Sequence, residues 1–290
     1  MGRPAFVDTH VHFHDFSHPT LRWDWLLPEV EDSNLGDYGE IKARRYTADD
    51  FIGETRFQNV SKVVHVQAAI GSPDPVEETR WLSEAAARWG IPHGIVAYAD
   101  LGAEGAEQTL ARHAEFERLR GIRDLRYDDY LTDDAWLRGF ALLEKFGLVL
   151  CDDPAVEEMG VLAEIAERHP GITVCVDHAG FPKRRDDDYF REWRDGMAKL
   201  ARVESTVVKI SGLGMIDHRW TVDSLRPWVL ACIELWGTTR SFFGTNWPVD
   251  RIYSSYGDVL DAYDEIIGDF AEDEREALFN GNASRVFRLE

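Results

Sequence analysis

Lysine and cysteine are scarce in this chain, and long apolar runs are missing. Only six of the 32 basic residues are lysine, 53 residues are acidic, and the formal charge is −21. A nucleic-acid footprint needs clustered cations that displace counterions, so nucleic acid is excluded as the main partner. No stretch approaches the roughly 18 apolar residues that cross a bilayer. The opening segment MGRPAFVDTHVHFHD has neither an apolar core nor a small-residue cleavage site. No membrane partner is expected, and the cytoplasm is the expected location. Three widely spaced cysteines, Cys151, Cys175 and Cys232, leave an odd thiol and read as reduced and partly buried. No GxGxxG follows the first apolar run, which argues against a dinucleotide-binding open sheet. Nor is there a Pro/Gly/Ser-rich linker or an internal repeat, so residues 1–290 are read as one domain.

What is present is a rhythm. Eight short apolar runs read as strands: Phe6–His12, Val60–Gln67, Gly94–Ala99, Leu119–Asp124, Gly147–Cys151, Ile172–Asp177, Thr206–Ile210 and Arg240–Gly244. Segments of helical spacing follow most of them, among them Pro75–Trp89, Asp133–Phe146, Ala155–His169, Asp187–Ala201, Val222–Trp236 and Gly257–Phe270. Strand and helix alternating eight times predict an α/β fold, a (β/α)8 TIM barrel; an open sheet with fewer strands is the alternative. The longest break, about 45 residues after the first strand, holds Trp23 and Trp25. On a barrel it leaves the face where active sites are built, and it reads as a lid or substrate wall, or as an ordered loop that the tryptophans anchor.

Polar residues that an ordinary core would exclude end several of these strands. Alternation places Asp8, His10 and His12 on one face of the first strand, with Val7 and Val11 on the other. A His-x-His pair can hold one divalent ion. His65 and Gln67 share a face of the second strand, His178 ends the sixth, and Lys209 and Ser211 share a face of the seventh. Arg123 ends the fourth strand with Arg126 close behind, and Arg123 either captures a carboxylate or pairs structurally with Asp124 or Asp153. Together these residues describe one pocket at the barrel mouth, with Trp25 as its wall and a small anionic molecule as its substrate.

The segments Val7-Asp8-Thr9-His10-Val11-His12, His65-Val66-Gln67-Ala68, Glu77-Glu78-Thr79-Arg80-Trp81-Leu82, Gly121-Ile122-Arg123, Asp177-His178-Ala179-Gly180, Lys209-Ile210-Ser211-Gly212 and Gly244-Thr245-Asn246-Trp247-Pro248-Val249 resemble, in order, the amidohydrolase-related proteins. The likeness is to the sugar-lactone and 2-pyrone-4,6-dicarboxylate lactonase branch. It implies a barrel hydrolase in which the first-strand pair (His10, His12), His178 and an eighth-strand Asp surround a divalent ion or, in some members, no metal. That Asp takes a proton from the attacking water. Here its position reads Asn246, and an amide cannot act as a general base at neutral pH.

Three readings of the base follow: a carboxylate among Asp250, Asp153 and Asp8; a histidine; or a barrel that binds a small acid without turning it over. The fifth strand ends in Asp152 and Asp153 with no His, which leaves an oxygen-richer site open and makes zinc and manganese the candidate ions, with no cofactor as the other outcome. The leading expectation is a lactonase opening a carboxylate-bearing cyclic ester, with His65, Gln67, Arg123, Arg126, Lys209 and Trp25 holding the substrate. Metal-dependent decarboxylation is the enzymatic alternative. A homo-oligomer is left open.

Overall fold

In a computed structural model of the chain, which describes residues 2–124 and 129–290, eight strands form one parallel sheet in sequential order. They are β1 Phe6–Val11, β2 Val60–Val66, β3 Gly94–Ala97, β4 Leu119–Ile122, β5 Val149–Asp152, β6 Val174–Val176, β7 Thr206–Ile210 and β8 Ser241–Phe243. Each lies within one residue or two of its predicted run, because short buried β-branched runs have little else to form. The seam between β8 and β1 closes just beyond β8. There Trp247 pairs with Val11, the His12 amide donates to the Trp247 carbonyl at 2.7 Å, and the Thr9 hydroxyl donates to the Phe243 carbonyl at 2.8 Å. The architecture is a (β/α)8 barrel.

Two apolar layers hold it. Val7, Val64, Val66, Val149, Cys151, Cys175 and Phe242 fill the barrel together with Phe287 and Leu289 from the C-terminal segment, which plugs one end. Phe6, Val11, Val63, Ile122, Val176 and Ile210 face outward onto the helices. Predicted helices recur at Val76–Trp89, Asp134–Phe146, Asp187–Ala201 and Val222–Trp236. The helix Ala106–His113 carries no periodicity strong enough to read from sequence, and packing supplies its order.

Val7 and Val11 fall in different layers, although four residues apart, and this corrects the expected alternation. Asp8 pairs with Val63 and Val11 with His65, so three steps on β1 match two on β2. Such a bulge inverts the faces beyond it. Asp8 therefore does not share the face of His10 and His12. It accepts from the Thr245 amide (3.0 Å), the Thr245 hydroxyl (2.6 Å) and the Tyr256 hydroxyl (2.8 Å), and it braces the seam instead.

The long β1–β2 connection has a core of its own. Leu21, Trp23, Leu26, Leu35, Tyr38 and Ile41 pack against Ala68, Met215 and Val249, residues that follow β2, β7 and β8. The connection is thus seated on three of the strand-end loops that build the barrel mouth.

Candidate active site

The bulge turns His10 inward, and the next alternate residue, His12, follows it. Their Nε2 atoms stand 3.1 Å apart, and the other nitrogen of His12 lies 2.9 Å from the Val66 carbonyl oxygen. A carbonyl only accepts, so His12 Nδ1 carries the proton and its Nε2 presents a lone pair.

His178 joins them by a backbone device. Asp177 continues the inward face of β6, and left-handed φ angles of +52° at His178 and +53° at Ala179 turn the next side chain inward as well. The His178 ring lies 4.2 Å from that of His10, and its Nδ1 is 3.0 Å from the Ser211 hydroxyl. Gly212 is required here, since its φ is +62° and a Cβ would come within 2.5 Å of His178 Nδ1. All three imidazoles are neutral. Burial depresses each of them, His12 to about 3, and the cations Arg123 and Lys209 reinforce the effect.

The two cations are differently placed. Lys209 has no exposed surface and donates to Asp177 at 2.8 Å, with His10 Nδ1 at 3.4 Å. Burial opposes its charge, yet Asp177 outweighs burial and holds it above the usual lysine range. Arg123 donates to Asp153 at 2.9 Å, the structural pairing weighed from sequence, while its charge acts on His10, His12 and His178 alike. Arg126 lies outside the described residues.

Asn246, held at a φ of +59°, stands beside His12 and donates through Nδ2 to Asp250 at 3.3 Å. Asp250 sits in the short 3-10 turn Val249–Ile252 and is almost fully buried. Burial pushes its carboxyl up to about 7, against the opposing hydrogen bonds from Asn246 and the Gly214 amide. A carboxylate with that affinity exchanges a proton at neutral pH. Asp8, with its hydrogen-bond acceptors committed to the seam, and Asp153, committed to Arg123, are poorer bases.

The remaining predicted residues divide. Trp25 donates its indole N–H to the Ala68 carbonyl at 2.8 Å, and its ring stands edge-on to His12 at 6.3 Å, so the β1–β2 connection reaches the imidazoles. Gln67 is buried, and among the described residues neither of its amide atoms has a partner, a cost of about 1–3 kcal/mol. His65 pairs with outward-facing Val11, and its Nε2 accepts the Phe13 amide at 2.9 Å, which fixes the start of the β1–β2 connection.

Sequence reasoning passed over Asp177. It lies on the inward face of β6, and the available signal was its place beside His178 on a run of otherwise apolar residues.

Residues 7–289 match the amidohydrolase family, nearly the whole chain. The chain belongs to that family. Within this amidohydrolase family it is 33% identical, over the full length of both chains, to the uncharacterized protein y4mH of Sinorhizobium fredii. It is 27% identical to the L-fucono-1,5-lactonase of Burkholderia ambifaria over 98% of this chain and 96% of that one. A crystal structure of an amidohydrolase from Burkholderia multivorans with bound zinc superposes with a TM-score of 0.83 at 25% identity, covering 98% and 99% of the two chains. The chain is therefore a hydrolase of the lactonase-like part of the family. Among the described residues no helix is long and apolar enough to cross a membrane.

Amidohydrolases often carry a divalent ion, and the donor set here fits one poorly. The His10/His12 pair offers a two-nitrogen bite. Among the described residues, however, the one group of three donors within 4.8 Å of one another is Cys151, Cys175 and Asp177, which excludes the imidazoles. The Lys209 ammonium, 2.8 Å from Asp177 and 4.0 Å from Cys151, already supplies that group with a cation. Among the described residues no third donor joins the His10/His12 pair within 4.8 Å to make the three-ligand set a catalytic ion needs.

Proposed function

We propose that this chain opens a small lactone by attack of water on the ring carbonyl, with Asp250 as the general base. The observation that carries the reading is the buried Asp250 carboxyl, hydrogen-bonded to Asn246 beside the imidazoles and pushed up to about 7 by burial. Where relatives are expected to hold an Asp, this chain holds an amide that passes the base's position to a carboxylate four residues on. Water held between Asp250 and the imidazoles gives up its proton to Asp250 as its oxygen bonds to the carbonyl carbon. Arg123 faces the carbonyl oxygen and offsets the charge that grows there. Collapse breaks the ring C–O bond, and the leaving oxygen takes the proton that Asp250 accepted from water.

The substrate class is the lactone of a sugar acid, as the name of the Burkholderia ambifaria relative supports. The anion that Arg123 meets is a carboxylate, either carried by the lactone or formed at its carbonyl when the ring opens. Gln67 and Trp25 give the ring a hydrogen-bonding edge and an apolar wall.

Proton release from a panel of L-fucono- and L-rhamnonolactones and a carboxylated pyrone tests this. At least one lactone is expected to open, with kcat/KM rising as pH climbs through about 7 and then levelling as Asp250 ionises. No proton release with any member across pH 5–9 would contradict the assignment.

A further inference from the structure

The two imidazoles at the centre of the site pose a proton-counting problem that does not depend on the lactonase reading. His12 Nδ1 keeps its proton and donates it in a hydrogen bond to the Val66 carbonyl, so His12 Nε2 is bare. His10 Nε2 lies 3.1 Å away. Two bare lone pairs at that distance repel, so either a proton on His10 Nε2 or a metal ion must lie between them.

The far side of His10 decides between these states. Its Nδ1 has a donor, the Lys209 ammonium at 3.4 Å, and an acceptor, Asp177 Oδ2 at 3.6 Å. A lysine ammonium can only donate and a carboxylate only accept. If Lys209 serves Nδ1, the single proton of neutral His10 sits on Nε2 and points at His12. If Asp177 serves it, the proton sits on Nδ1 and both Nε2 atoms are free to bind a metal. Lys209 is the nearer partner and lies within hydrogen-bond distance. Its charge and that of Arg123 repel any cation placed at the pair, Asn246 brings no negative ligand, and no third donor completes a cage among the described residues.

We propose that Lys209 takes the place of a metal ion in this site: it donates to His10 Nδ1, keeps the His10 proton on Nε2 as a hydrogen bond to His12, and so denies a divalent ion the lone pair it would need. Lys209 is then a positioning residue, since its burial keeps it from the substrate.

Zinc affinity and the histidine proton positions test this in the resting protein, without substrate. The parent, grown with zinc, is expected to purify with well under one equivalent. Its long-range proton–nitrogen NMR spectrum, with the ring assigned through His10→Gln, should show His10 protonated at Nε2. Lys209→Met should move that proton to Nδ1, facing Asp177, and tighten zinc binding by on the order of 10- to 100-fold. Because Lys209→Met leaves Asp177 buried without its partner, the double variant Lys209→Met/Asp177→Asn, which removes both charges, serves if the single one does not fold, and it too should bind zinc more tightly. Lys209→Arg should bind zinc like the parent. A stoichiometric ion in the parent that is lost in His10→Gln, an Nδ1-protonated His10 in the parent, or unchanged zinc affinity in both Lys209→Met proteins would each overturn the proposal, whatever the lactone panel shows.

Discussion

Asp250→Asn is expected to lower kcat on a responsive lactone by about 10²–10⁴-fold, the range lost when a positioned general base is removed. The change is nearly isosteric. The side-chain amide that replaces the carboxyl can still hydrogen-bond Asn246 and the Gly214 amide, so KM and thermal stability should change little. The rise of rate through about pH 7 should vanish with it, because the group whose ionisation it reports is gone. A variant with parental kcat and an unchanged pH profile would move the base elsewhere, with Asp153 the next carboxylate to test.

Asn246→Asp has the second-largest expected effect, and the geometry gives its sign. A carboxylate at this position would stand 3.3 Å from Asp250 Oδ1, where the amide now donates. Two carboxylates at that distance share one proton, which drives the affinity of the pair upward and leaves less free base at pH 7. Activity at pH 7 should fall by on the order of tenfold or more, with the profile displaced to higher pH. The same substitution adds a negative ligand beside His12, so zinc should bind more tightly than to the parent. Equilibrium dialysis with zinc and a pH–rate series on the one variant check both arms. Faster hydrolysis at pH 7 in zinc-free buffer would show instead that the chain simply lacks its base at position 246.

Much of the barrel was legible because its strands are apolar runs with no competing period, and the polar strand ends stood out against them. The bulge in β1 was not legible. Nothing in Asp8-Thr9-His10 announces an extra residue; the inversion arises from pairing with β2, and it moved Asp8 to the seam. The setting of Lys209 was hidden for a related reason. Sequence shows that Lys209 points inward but not that Asp177 waits 2.8 Å away, since the two meet only across adjacent strands. What replaces the eighth-strand Asp was legible only as a choice among a carboxylate, a histidine and no base at all; the proposal of Asp250 rests on its place beside Asn246, which only the fold supplies.

The most direct test of the central claim is mass spectrometry of the product formed by parent and Asp250→Asn protein in ¹⁸O-labelled water, run with the lactone panel. Water attack on a lactone carbonyl predicts that the parent yields the open hydroxy acid with one labelled oxygen in its carboxylate, that no carbon dioxide is released, and that the Asp250→Asn protein yields almost none. Carbon dioxide from the carboxylated pyrone with its ring intact, or labelled acid formed equally by both proteins, would contradict it.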